Sequence, residues 1–431
     1  MDTSQVLDKM RADWNQRAGE DAYYYVAFGR RGQDDEEFFS TATDVIKGLE
    51  WDLKRVHGRD AALEIGCGPG RLMRPLARHF GEIHGVDVSD EMIRRAGELL
   101  RDTPNAHAHH SSGSDLAQFP DDKFDFVYSF AVFQHIPSRD VVFNYLREAR
   151  RVLKPGGILR CQLNGLPPHA KQYDTWNGVR IAPDEIVRFS LEQDLQLLVI
   201  EQIWTQYMWI TCRKRPAGWV ASLAARPPAP PASAIRSISN ALTGEAVAPA
   251  SGPMAALSLW VERLPEECDI NHLTVLADGK ACWVIYIGEP GKDGIVQVNV
   301  ALPDGLRTGM VPIEMKWLGR TICAPAWVRI MTPGPSVPRI LTIADGVNLL
   351  SGTRIVTGSV KITMVEVPDA AAFHVTVDGV DAVDIDSFCA DPTTQRWEFN
   401  FRLPDRIYAG PHEVQVKLGK RTFAPLAIEV A

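Results

Sequence analysis

The chain has 431 residues, more than one ordinary hydrophobic core organises, so two or three domains are expected. Apolar residues make up 45% and charged residues 23%, the balance of a soluble globular protein, and a formal charge of -8 supplies no broad basic field for nucleic acid or an anionic membrane. The first residues carry scattered charges in place of a signal-peptide core, and no run of about 18 apolar residues follows, so a cytoplasmic protein is expected.

In chain order, the first feature is the aromatic segment 14–25, with Trp14, Tyr24 and Tyr25, which can form a lid or pack as a helix. Strand-like apolar runs at 61–65, 83–88, 124–130 and 157–163 then alternate with helical patterns, the mark of a parallel sheet covered on both faces. Leu72, Leu76 and Phe80 recur at helical spacing, Ser89 is placed to cap the next helix, and Val142, Leu146, Ala149 and Leu153 line another. A Pro- and Ala-rich stretch at 216–254 reads as a linker, closing an N-terminal domain at 1–215. Beyond it, short β-rich runs repeat at a period of about 100 residues. Asp278-Gly279 matches Asp378-Gly379, Leu302-Pro303-Asp304 matches Leu403-Pro404-Asp405, and Leu318-Gly319 matches Leu418-Gly419. Two tandem β-sandwiches of immunoglobulin-like type follow, at 255–335 and 336–431. The seven cysteines are widely spaced and odd in number, which fits neither a disulfide framework nor a zinc site, and no metal is expected.

The glycines of Glu64-Ile65-Gly66-Cys67-Gly68-Pro69-Gly70 stand between a strand and a helix, where backbone amides approach a ligand closely. A dinucleotide fingerprint counted from Gly66 needs glycine at position 71, which is Arg71. Glu64 would repel a pyrophosphate but suits the ammonium of a methionine moiety, and Asp87, ending the second strand, can accept two ribose hydroxyls. S-adenosylmethionine meets all three conditions.

Together with 63–71, the segments Gly85-Val86-Asp87, 124–129 and 152–157 resemble the ordered motifs of class I S-adenosylmethionine-dependent methyltransferases over about residues 40–215. The resemblance implies a Rossmann-like α/β domain with a seven-stranded sheet, its last two strands near 195–205 and 207–214 forming an antiparallel hairpin. It also implies that Gly66, Cys67 and Gly68 meet the methionine part, Asp87 the ribose, and Val88 and Met92 the adenine. Gly113 and Ser114 would edge the adenine, and Phe130 would lie close to the cofactor, which leaves as S-adenosylhomocysteine.

The sulfonium is already activated, so the enzyme's main task is alignment and exclusion of water. His135, just past the fourth strand, can serve as general base for a hydroxyl acceptor or can fix its loop by hydrogen bonding. Trp14, Tyr24, Tyr25, His169 and Tyr173 are candidate acceptor contacts. The reading is methyl transfer to a small-molecule or glycan-like acceptor, oxygen favoured, with the β-domains recruiting substrate or forming a homodimer. A methyltransferase-like binding or scaffold protein without transfer is the alternative.

Overall fold

The computed structural model describes residues 3–27, 31–168, 173–226, 232–334, 337–391 and 395–431. Two compact units emerge, one of residues 1–16 and 44–334, the other of 17–43 and 335–431. The helices are α1 (Thr3–Ala27), α2 (Asp35–Ser40), α3 (Thr43–Asp52), α4 (Met73–Leu76), α5 (Asp90–Leu99), α6 (Arg139–Val152), α7 (Pro183–Glu192) and α8 (Trp219–Ala224). None of the described helices is long and apolar enough to cross a membrane.

In the first unit, β1 (Ala61–Ile65), β2 (Glu82–Asp87), β3 (Ala106–His110), β4 (Phe124–Ser129), β5 (Leu153–Leu163), β6 (Leu195–Glu201) and β7 (Met208–Lys214) pair in the order 3-2-1-4-5-7-6. The first five are parallel, and β7 runs antiparallel to β5 and β6, the hairpin foreseen above. Helices on both faces explain why β1 and β4 are buried end to end. Ser89 caps α5 by accepting the Met92 N–H at 3.2 Å, and α6 buries Val142, Leu146 and Ala149 at one-turn spacing.

Two local expectations change. The helix drawn through Leu72, Leu76 and Phe80 is one α turn, Met73–Leu76, followed by a 3-10 turn, Ala77–His79. Leu153 opens β5 instead of closing the preceding helix, because β4 takes it into register with Phe124.

The strands β8 (Ala234–Asn240), β9 (Val247–Pro249), β10 (Ala256–Glu262), β11 (Leu273–Ala277), β12 (Lys280–Ala281), β13 (Trp283–Ile287), β14 (Ile295–Ala301), β15 (Gly309–Trp317), β16 (Arg320–Thr321) and β17 (Ala326–Met331) build a two-sheet sandwich. One sheet runs β13-β14-β10-β8 and the other β12-β11-β15-β17-β9, around a core that includes Leu257, Leu259, Val298 and Ile313. The stretch 216–254 is therefore not a plain linker: its Ala- and Ser-rich text hides β8 and β9, which pair with β10 and β17.

This sandwich continues the α/β sheet. Strand β13 pairs antiparallel with β6 at Tyr286 and Val199, so eleven strands form one sheet from β3 to β8. The junction is reinforced on both sides. The Ile270 N–H donates to the Leu197 carbonyl at 2.9 Å, and the Gln196 side chain donates to the carbonyls of Glu266 and Cys268, both at 2.8 Å. The Glu289 carboxylate meets the buried guanidiniums of Arg55 at 3.3 Å and Arg213 at 2.8 Å, so two buried charges are paired across it.

In the second unit, β18 (Arg339–Asp345), β19 (Arg354–Ile355), β20 (Ser359–Val365), β21 (Phe373–Val377), β22 (Val380–Asp381), β23 (Val383–Asp391), β24 (Arg396–Arg402), β25 (Gly410–Leu418), β26 (Arg421–Thr422) and β27 (Leu426–Val430) repeat the pattern strand for strand. The sheets run β23-β24-β20-β18 and β22-β21-β25-β27-β19 around Val360, Ile362, Phe399 and Val416. The 100-residue repeat is thus two copies of one topology, each with an Asp-Gly hairpin turn whose residues take positive φ, Asp278-Gly279 and Asp378-Gly379.

Candidate functional site

The strand-to-helix turn after β1 is a tight glycine cradle. Gly66, Gly68 and Gly70 have φ of 74, 51 and 86°, and a Cβ on Gly66 would stand 2.3 Å from Val132. The fully buried Glu64 ends β1, where the Tyr128 hydroxyl donates to it at 2.9 Å from neighbouring β4. Burial pushes its carboxyl up to about 8, against the opposing pull of the Tyr128 hydrogen bond and of Arg71. Arg71, itself buried, is pushed down by that burial to about 10 and lies 5.7 Å from the centre of the Phe130 ring.

Asp87 ends β2 and faces the same turn. One of its oxygens accepts the Gly68 N–H and the other the Ser89 N–H, both at 2.9 Å, so the carboxylate organises the loop and caps the next turn. Burial raises its carboxyl, and those amides act in the opposite direction. Four acceptor sites of a carboxylate exceed these two bonds, which leaves capacity for ligand hydroxyls. Met92 is buried in the first turn of α5, and Val88 touches Gly113, where an added Cβ would stand 2.9 Å from it. The Gly113 and Ser114 amides donate to Ser111 Oγ and Ser112 Oγ, which fold that turn. The cofactor positions named from the sequence therefore lie at the carboxyl ends of β1, β2, β3 and β4.

A second group of residues closes around His135. Its Nδ1 lies 2.9 Å from the Trp176 carbonyl and so carries the proton donated to it, while Nε2 lies 3.2 Å from the Gln134 amide nitrogen. Trp14 meets the imidazole edge to face at 5.3 Å. Gln162, fully buried at the end of β5, accepts the Ala131 N–H at 2.8 Å and donates to Gln134 at 3.0 Å. Ala131 has φ of 57°, so Gln162 holds a strained turn that presents Phe130 on one side and His135 on the other. Phe130 stacks on Trp209 at 5.6 Å, and Arg160 covers Trp209 at 4.4 Å.

The remaining candidates divide. Tyr173 packs on the α/β core. Tyr24 and Tyr25 belong to the second unit, with Arg31 over both rings and the Tyr24 hydroxyl 3.4 Å from the Val347 carbonyl. Tyr24 thus meets the second sandwich, a contact that the continuous helical pattern of 14–25 conceals, and the extended backbone of Asp21, φ -169°, interrupts that helix. His169 lies outside the described residues. Among the described residues no group of three His, Cys, Asp or Glu is placed to hold a metal ion. Sequence reading missed Tyr128, Gln162 and Asn15. Asn15 accepts from Ser89 Oγ at 2.7 Å and from the Glu91 N–H at 3.2 Å, pinning the start of α1 to the helix that follows Asp87. An isolated Asn in a polar helix gave no signal of that.

The family model described as a methyltransferase domain matches residues 63–161. The 2-methyl-6-phytyl-1,4-hydroquinone methyltransferase of a Synechocystis species is 32% identical over 128 residues, 29% of this chain and 39% of that one. Phosphoethanolamine N-methyltransferase 2 of Caenorhabditis elegans is 38% identical over 105 residues, 24% of this chain and 23% of that one. Among solved structures, phosphoethanolamine N-methyltransferase 1 of Haemonchus contortus, in complex with phosphoethanolamine and S-adenosylhomocysteine, aligns over 50% of each chain at 15% identity with a TM-score of 0.37. The chain spans well under half the length of these curated relatives. With the motif order, the sheet order and the glycine cradle, the match identifies the α/β part of this chain as a class I S-adenosylmethionine-dependent methyltransferase domain.

Proposed function

We propose that this chain transfers the methyl group of S-adenosylmethionine to a small-molecule or glycan-like acceptor in the cytoplasm, with oxygen the favoured accepting atom. The observation that carries the reading is the convergence of the glycine cradle with two carboxyls, the buried Glu64 and the half-buried Asp87, at the ends of adjacent strands. The donor, when bound, supplies a methyl group already activated on a sulfonium. The work left to the protein is holding, aligning and drying.

In this reading Glu64 receives the ammonium, Asp87 the ribose, Val88 and Met92 the adenine, and Gly113 and Ser114 edge the ring. Gly66, Cys67 and Gly68 pass close to the methionine part, with Cys67 a buried, raised and therefore unreactive thiol. Seven free cysteines suit a reducing compartment. Phe130 and Trp14 wall the acceptor side. His135 has both ring nitrogens engaged, which favours a positioning residue that fixes the wall; service as a base would require Gln134 to release Nε2.

Calorimetry with S-adenosylmethionine and transfer of labelled methyl to a panel of hydroxyl, carboxyl, amine and sugar acceptors test the proposal. Binding is expected to weaken about 10- to 100-fold in Asp87→Ala. Absence of binding by the intact chain, or affinity unchanged in that variant, contradicts the donor assignment. His135→Gln should lower kcat without removing a limb of the pH profile; loss of a limb would make His135 a base.

A further inference from the structure

The first sandwich bears on its outer face a groove that the donor site does not use. Strand alternation sets the outward face: Leu257, Leu259 and Val261 on β10 and Val296, Val298 and Val300 on β14 are buried in the sandwich core, so Ser258, Trp260, Gln297 and Asn299 point the other way, and of these Trp260 lines the groove. The register sets Trp260 opposite Gln297 on one side and Ser237 on the other, and Ser258 opposite Asn299. Between Trp260 and Val261 the pairing with β8 slips by a bulge, and Arg236 and Ser237 are both exposed while Ile235 and Ile238 pack on the core. The turn before β14 brings Lys292 and Asp293 to the rim. The groove so formed has a volume of about 510 Å³.

Its chemistry is specific. The indole of Trp260 is 37% exposed on a face that the sandwich core does not need. Beside it, the Gln297 amide nitrogen donates to Ser258 Oγ at 3.2 Å and to Asn299 Oδ1 at 2.9 Å, and the Ser258 hydroxyl donates to the same Asn299 oxygen at 2.8 Å. These bonds fix both amides and leave the Gln297 carbonyl and the Asn299 N–H groups without a partner among the described residues. A flat apolar ring with the Gln297 amide opposite it, Ser237 beside it and Lys292 and Asp293 on the rim suits a pyranose, whose C–H face lies on an indole and whose hydroxyls both donate and accept. A protein interface would call for contiguous apolar area, which the serines and amides interrupt. A polyanion would call for several unpaired cations, whereas Arg236 is already paired with Glu262. At the matching register position of the second sandwich stands Thr363, opposite Glu398, so the aromatic platform belongs to the first copy.

We propose that this groove is a saccharide-binding site, with a sugar ring stacked on Trp260 and its hydroxyls bonded by Ser237, Lys292 and Asp293 of the lining and, beside the indole, by Gln297. Native electrophoresis of the full chain through gels holding dissolved hydroxyethylcellulose, xylan, galactomannan, dextran or alginate tests it. Retarded migration is expected in at least one gel, weakened about tenfold or more in Trp260→Ala and partly kept in Trp260→Tyr. Thermal unfolding of both variants should match the parent, because the side chain is exposed. Unretarded migration in every gel, or retardation undiminished in Trp260→Ala, overturns the proposal.

Discussion

The two sandwiches share ten strands in the same order, yet one edge of each has a different fate. In the first, β13 reads Trp-Val-Ile-Tyr-Ile and pairs on both sides, with β14 and with β6 of the methyltransferase sheet. In the second, β23 pairs among the described residues with β24 alone, and two register breaks, the positive φ of Asp384 and the carboxylates of Asp384 and Asp386 mark it as a guarded edge. One topology thus occurs once as an extension of the α/β sheet and once within the other compact unit. The difference lies in a handful of edge residues, because a strand edge pairs with any neighbour unless charge or irregular backbone prevents it.

The largest expected effect comes from removing the first sandwich. A chain ending at residue 226 leaves the apolar strand β6 with an open edge and strands Arg55 and Arg213 without Glu289, so loss of soluble, donor-binding protein is expected. A chain ending at residue 334 should retain donor binding. Calorimetry on the two truncations distinguishes them, and equal binding would erase the contrast.

A matched pair of prolines sharpens it. Tyr286→Pro interrupts a strand paired on both sides and should cost about 3 kcal/mol or more, whereas Asp386→Pro, at the equivalent edge position, should cost markedly less. Chemical unfolding followed separately for the two units reads the difference.

The smallest effect is in pH dependence. Glu64 binds its proton up to about 8 in the fold but only to about 4.3 when unfolded, so the first unit loses stability as pH rises across that window. Burial of Asp345 in the second unit is outweighed by hydrogen bonds from Asn348, Thr357 and Val347, which hold its carboxyl below the usual value. Its contribution is present above the unfolded value and lost as pH falls through the lower folded one. Thermal scans of the intact chain should show the two transitions moving in opposite senses between acid and mildly basic pH. Binding of the donor's ammonium at Glu64 should release a proton and strengthen as pH rises toward 8, measurable by calorimetry in buffers of different ionisation heat.

Much of this was legible in the sequence where the signal is local. The glycine loop, Asp87, the Ser89 cap and the Asp-Gly hairpins each declare themselves within a few residues. Strand β3 did not, because Ala-His-Ala-His-His lacks apolar alternation and is held by register with β2 and by stacking of His109 on His84. Strands β8 and β9 were hidden by composition, since Ala and Ser serve a half-buried strand as well as a linker. The β6–β13 pairing depends on two segments some 87 residues apart, and no local pattern encodes such a partner. Nor could spacing reveal that both nitrogens of His135 are engaged, one by a carbonyl 41 residues away.

Hydrogen exchange on the intact chain, with and without S-adenosylhomocysteine, tests the shared sheet most directly. The account predicts that amides of 283–287 exchange as slowly as those of 195–201 and slow further with ligand, while those of 383–391 exchange fast and ignore it. Exchange in 283–287 as fast as in 383–391, with no response to ligand, would contradict it.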